Sequence, residues 1–131
     1  MGPVILAAET KFDFVVGDAT ALSSGYVFPP RGGRGTTFTW RVKYWDTGNQ
    51  PPDAVYVGIW FPPPCGRTYW YPMWAYNPRD TDYCDGAWYT FSRRWMPPGT
   101  AYYRFAARQG SDWVYWPLPA GAYRRGPTVG R

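Results

Sequence analysis

Histidine is absent from the 131 residues, and the chain holds only one glutamate, two lysines, four serines and two cysteines. Without histidine there is no Ser-His-Asp or Cys-His nucleophile, no histidine general base and no histidine-ligated zinc. Ser23, Ser24, Ser92 and Ser111 stand in no G-x-S-x-G elbow, and the sequence has no G-x-x-x-x-G-K-[ST] phosphate cradle. Glu9 being the one glutamate, a carboxylate pair for glycoside hydrolysis would have to come from aspartates in loops, and no pair stands out. These absences argue against an enzyme and against a catalytic cofactor. Scarce Lys, Glu and Leu also argue against a helical bundle. No segment reaches the roughly 18 apolar residues that a membrane-crossing helix needs. The apolar run Val4 to Ala8, closed by Glu9 and Lys11, is too short for a secretion signal. The expectation is a chain with no membrane partner and no visible export signal.

What the sequence has in plenty is rings and turns. Nine Trp, twelve Tyr and seven Phe stand beside 15 Gly and 15 Pro, and the net charge of +5 is carried almost wholly by arginine. An apolar content of 45% places the chain away from disordered compositions. Phe38, Trp40, Val42 and Tyr44 alternate with Thr37, Thr39, Arg41 and Lys43, the period of a half-buried strand. A turn-like stretch, Asp46 to Asp53, leads to Ala54–Trp60, with Val55, Val57 and Ile59 on one face, and the two strands are expected to be neighbours. Pro62, Pro63 and Pro64 end that pairing. Alternation returns at Ala87 to Ser92 and at Thr100 to Arg108, where Tyr103, Phe105 and Ala107 face away from Tyr102, Arg104, Ala106 and Arg108. Tyr69 to Trp74 and Trp113 to Trp116 are shorter strand candidates, as are Val4 to Leu6 and Phe12 to Val16. Seven or eight short strands without helical periodicity predict an all-β antiparallel sandwich. Three segments are expected: a strand-bearing arm over residues 1–35, the sandwich over 36–117, and a loosely held tail over 118–131.

The stretch R-V-K-Y-W-D-T-G-N-Q-P-P-D-A-V-Y-V-G-I at 41–59, with D-G-A-W-Y-T-F-S and M-P-P-G-T-A-Y-Y-R-F-A-A-R-Q-G further on, resembles immunoglobulin-like modules of the fibronectin type III and early-set kind. The resemblance covers about two thirds of the chain. It implies an immunoglobulin-like sandwich of the sort found in phage decoration and surface proteins. The same hairpin is similar to that of starch- and glycogen-binding modules, a likeness that falls on Trp74, Trp88 and Trp113 as sugar-stacking rings.

Several smaller constellations bear on ligands. Asp80, Asp82 and Asp85 approximate a D-x-D-x-D-G calcium loop, but the third acid is one place late and the closing glutamate is missing. Asp46, Asn49 and Asp53 make a second oxygen-rich loop, for which Asx-turn chemistry is the plainer reading. Cys65 and Cys84 have no metal-ligand spacing and are either bridged or two reduced, buried thiols. Arg31-Gly32-Gly33-Arg34, Arg93-Arg94 and Arg124-Arg125 are basic, yet Asp80, Asp82, Asp85 and Asp112 interrupt any long basic track, which argues against nucleic acid.

A sandwich interior uses Phe38, Trp40, Val42, Val55, Val57, Ile59, Tyr89, Phe91, Tyr103 and Phe105, and many rings are left over. Trp74, Trp88, Trp95, Trp113 and Trp116, with Arg93 and Arg94, are the candidate binding residues, because Trp, Tyr and Arg dominate protein interfaces. The sequence therefore predicts a non-enzymatic structural module that docks on itself or on a larger assembly. A phage capsid decoration protein is the first expectation and an extracellular filament subunit the next, which places the chain on a virion or an extracellular surface. A carbohydrate-binding module of the starch or glycogen type is the alternative.

Overall fold

In a computed structural model, residues 19–131 are described, and among them there are ten strands and no helix. In chain order these are β1 (Thr20–Phe28), β2 (Arg31–Gly32), β3 (Phe38–Asp46), β4 (Ala54–Phe61), β5 (Arg67–Pro72), β6 (Trp74–Ala75), β7 (Ala87–Arg93), β8 (Gly99–Gln109), β9 (Asp112–Trp116) and β10 (Arg124–Val129). The candidate strands at Val4 to Leu6 and Phe12 to Val16 lie outside the described residues.

The strands form two sheets. The first, sheet A, runs β1-β3-β7-β6; the second, sheet B, runs β2-β10-β8-β4-β5, with β9 also paired to β8. Only the short β2–β10 pair is parallel among these ladders. In the lettering of immunoglobulin-like sandwiches, sheet A has the order A-B-E-D and sheet B the order C′-C-F-G, so the chain is an all-β sandwich with that topology.

The alternation in β3 is fulfilled: Phe38, Trp40, Val42 and Tyr44 are fully buried, with partly exposed residues between them. They pack against Val57, Ile59 and Phe105 of the opposite sheet in one core cluster. Tyr89 and Phe91 share that inner face but are only half-buried, since β7 is followed by the two-residue edge strand β6. Phe91 stacks on Tyr71 at 4.9 Å and 15°, which closes this flank.

Three expectations are corrected. β3 and β4 are not neighbours: each already has partners on both edges, β3 from β1 and β7, β4 from β5 and β8. The segment Thr47 to Asp53, which contains Pro51 and Pro52, crosses from one layer to the other instead of making a hairpin turn. The 118–131 stretch is not a loose tail. β9 covers β8 only from Phe105 to Gln109, and β10 fills the edge left open from Gly99 to Tyr103. Gly126, Pro127 and Val129 are accordingly buried. Nor is the described part of the 1–35 segment an arm beside the sandwich, because β1 pairs with β3 from Thr20 to Ser23 and again from Tyr26 to Phe28. A register shift between Ser23 and Tyr26 brings the backbone of Gly25 against the interior, where a Cβ would lie 2.5 Å from Phe105 and 2.6 Å from Trp116. Only glycine fits there.

The buried carboxylate of Asp46 organises one end of the sandwich. Its Oδ1 accepts from the Thr20 hydroxyl at 2.8 Å and its Oδ2 from the Gln50 backbone N–H at 2.8 Å. The Tyr44 hydroxyl donates to the Gln50 carbonyl at 3.0 Å. Replacing Asp46 by Ala leaves the Thr20 hydroxyl and the Gln50 N–H without their acceptor, and the expected cost is about 2 kcal/mol, read as a lower urea midpoint with an unchanged slope.

Burial, reinforced by the Asp46 charge, holds the Tyr44 phenol well above its ordinary 10.0. Burial next to Tyr83 pushes Tyr89 up to about 12. Burial also raises Tyr103, with Arg124 opposing. A phenol whose folded value is raised contributes stability in full below the unfolded value and loses it as the pH climbs through the folded one. Stability is therefore expected to stay level up to pH of about 10 and to fall above it, with these tyrosines ionising at 295 nm only as the chain unfolds.

Candidate functional site

Strand alternation leaves two outward faces, and the surplus rings divide between them. On sheet A, Trp88 lies edge-on to Tyr26 with centroids 5.9 Å apart, and the Lys43 ammonium sits 4.6 Å from the Trp45 ring and 5.9 Å from Trp88. The Arg41 guanidinium covers Tyr76 at 4.4 Å. Trp74, 67% exposed, stands on the edge strand opposite Thr90. This face is open, ring-rich and cationic.

The outward face of sheet B is built differently. Tyr56 on β4 stands opposite Ala106 on β8, and Ala106 is opposite Tyr115 on β9; Gly58 is opposite both Arg104 and Trp70. Ala106 forms a low floor between tall rings, and Gly58 makes room for the Trp70 ring. Trp70 lies over Gly58 so closely that a Cβ there would be 2.8 Å from the indole. Tyr56 stacks on Trp113 at 6.2 Å and 25°. The result is a cleft of about 390 Å³ lined by Tyr56, Trp70, Ala106, Trp113 and Tyr115. That volume lies in the range of small-molecule sites, about 300 to 1,000 Å³.

Arg104 borders this cleft. Its guanidinium carbon is 5.4 Å from the Trp70 ring centre, 5.1 Å from Tyr115 and 5.5 Å from Tyr123. Among the described residues no carboxylate pairs with it, and its Nε is buried without an acceptor. Beyond Tyr123 a second, shallower depression is walled by Trp60 and Tyr102.

The sequence candidates fall in several places. Trp113 is in the cleft wall, whereas Trp74 and Trp88 project from the other sheet, so the three do not form one stacking platform. The sandwich stands between them, about 10 Å from sheet to sheet. Trp116 faces inward and packs on Phe105 at 6.0 Å, with Arg124 over its ring. Arg93 is drawn over Phe61 and Tyr71 and donates to the Tyr71 hydroxyl at 3.3 Å, a packing position. Trp95, at φ 60°, is 67% exposed beyond β7, with Arg94 over its ring and Arg94 Nε donating to the Gly35 carbonyl.

The acidic loops are committed to the backbone. Asp80 accepts from the Asp82 N–H and Asp82 from the Asp85 N–H, as Asx turns do. Asn49 accepts from the Tyr83 N–H at 2.7 Å, and Asp53 from the Gly110 N–H at 2.7 Å. Among the described residues no group of three or more His, Cys, Asp or Glu is placed to hold a metal ion.

Tyr56, Trp70, Ala106, Tyr115 and Arg104 were not among the sequence candidates. Trp70 lies within the strand candidate Tyr69 to Trp74 and Tyr115 within Trp113 to Trp116, and alternation puts Arg104 and Ala106 outward. The placing of Ala106 between Tyr56 and Tyr115, which opens the cleft, has no local signal.

Cys65 and Cys84 are both free and exposed, which corrects the bridged and the buried alternatives alike. Cys65 follows the end of β4 at Phe61, while Cys84 lies by Thr47 near the opposite end. A strand as long as β4 spans roughly 25 Å, far beyond the ~7 Å that a disulfide bridges. Both thiols are therefore expected to react with a disulfide reagent in the folded chain without prior reduction.

These features define a class, an immunoglobulin-like β-sandwich with an aromatic cleft on the outer face of one sheet. No family model matches the chain, and no curated protein matches it. Among solved structures it is similar to the CARDB domain of the PF1109 protein of Pyrococcus furiosus, described in complex with di-metal ions, at 15% identity and a TM-score of 0.47, over 93% of this chain and 100% of that one. The sandwich assignment rests on the strand order itself.

Proposed function

We propose that this protein is a non-enzymatic interaction module that docks into a larger assembly through the outer face of sheet A. The observation that carries the reading is the exposed ring set on that face, where Tyr26, Phe28, Trp74 and Tyr76 stand among Arg41 and Lys43. Contiguous exposed rings on a small domain are characteristic of interaction surfaces, and Trp, Tyr and Arg are the residues that anchor them. A second copy of the chain is the first partner. The assembly we favour is a phage capsid decorated by this module, on the strength of the sequence resemblance, with an extracellular filament as the next choice.

A second reading, glycan binding, is favoured by the sheet B cleft. The starch-type platform of Trp74, Trp88 and Trp113 is set aside because those rings occupy opposite faces.

Light scattering separates the first reading from its failure. The wild-type chain is expected to self-associate with rising concentration, and a Trp74→Ser, Tyr76→Ser double variant to remain monomeric with an unchanged melting temperature, since both side chains are exposed. A wild-type chain that is monomeric at every concentration overturns self-docking through this face.

A further inference from the structure

We infer that the sheet B cleft binds an acidic saccharide, with a sugar ring stacked on Trp70 or Trp113 and its carboxylate held by Arg104. The inference rests on the glycan reading and adds to it the charge of the ligand.

Three features of the site select this chemistry. First, the cleft walls are ring faces rather than aliphatic side chains: Tyr56, Trp70, Trp113 and Tyr115 surround the floor at Ala106. Trp70 and Trp113 keep 43% and 46% of their surfaces open, so each offers a flat apolar plate to the C–H face of a pyranose. The tyrosine hydroxyls supply donors and acceptors for sugar hydroxyls.

Second, the cation at the edge has no anionic partner among the described residues. Arg104 is half-buried among three rings, and no carboxylate among the described residues pairs with it. A guanidinium forks onto a carboxylate through two parallel hydrogen bonds, and apolar surroundings strengthen the attraction. The ring stack also disfavours a cationic ligand, because Arg104 already holds the faces that such a ligand would seek.

Third, the charge supply is small. The nearby Arg108 is paired with Asp53 at 3.4 Å, which leaves Arg104 as the free cation of the cleft among the described residues. A nucleic-acid strand needs successive cations along its backbone, whereas one carboxylate on one sugar ring needs one.

The test is tryptophan fluorescence and calorimetric titration of the full chain with oligogalacturonate, oligomannuronate and hyaluronan fragments, each paired with its carboxyl-reduced counterpart. At least one acidic form is expected to bind about ten-fold tighter than its reduced form, with added salt narrowing the gap. Arg104→Gln is expected to abolish that difference, and Trp113→Ala to weaken both forms. If a reduced form binds as well as its acidic parent, the charge inference falls while the glycan reading stands. If neither form of any pair binds, both fall. A retained preference in Arg104→Gln overturns the role of Arg104, and tighter binding of oligothymidylate than of any saccharide overturns the inference in favour of single-stranded nucleic acid. Should Arg104→Gln fail to fold, the paired saccharides on the wild-type chain still decide.

Discussion

The packing of Phe38, Trp40, Val42 and Tyr44 of β3 against Val57, Ile59 and Phe105 of the facing sheet is the contact on which the remaining structure depends. It draws the two layers together at the usual separation of about 10 Å and assigns every neighbouring strand an inside and an outside. Each ladder then propagates that assignment: β7 takes its inner face from β3, while β8 and β4 share theirs. A strand has two faces and a two-layer sandwich has one interior, so rings on the second parity are forced outward. This chain carries rings on both parities, and its outer faces are the consequence.

The two outer faces differ because of small residues. On sheet A the rings rise from strands whose neighbours are threonine, serine, lysine and arginine, so the surface is open and mixed. On sheet B, Ala106 leaves a low floor between Trp70, Tyr115 and the Tyr56–Trp113 stack, and Gly58 lets Trp70 lie close to the sheet. An isolated ring on a flat sheet is a contact point; a ring beside a gap is a wall. This distinction underlies our proposal of partner docking on sheet A and a small ligand on sheet B.

Polar groups have been spent largely on the ends of the sandwich. Asp46, Asn49, Asp53, Asp80 and Asp82 each accept backbone N–H groups in loops, where unpaired donors would otherwise be costly. The same oxygens that suggested a cation in the sequence are therefore turn-making groups. Arg93 and Arg124 likewise lie over rings at the margins of the core. Arg104 also lies over rings, but on the outer face of sheet B, where no carboxylate among the described residues pairs with it.

From the residues in order one reads the all-β class, the inner faces of β3, β4 and β8, the stop at Pro62 to Pro64 and the surplus of rings, because all of these follow from a period of two and from backbone chemistry local to each segment. The same order does not reveal that β3 and β4 belong to different sheets, that β10 completes the edge of β8, that Trp74 and Trp88 face away from Trp113, or that Cys65 and Cys84 lie at opposite ends. Those are relations between segments far apart in the chain. They were decided by which strand edges remained open once the core had closed, and only the tertiary structure holds that information.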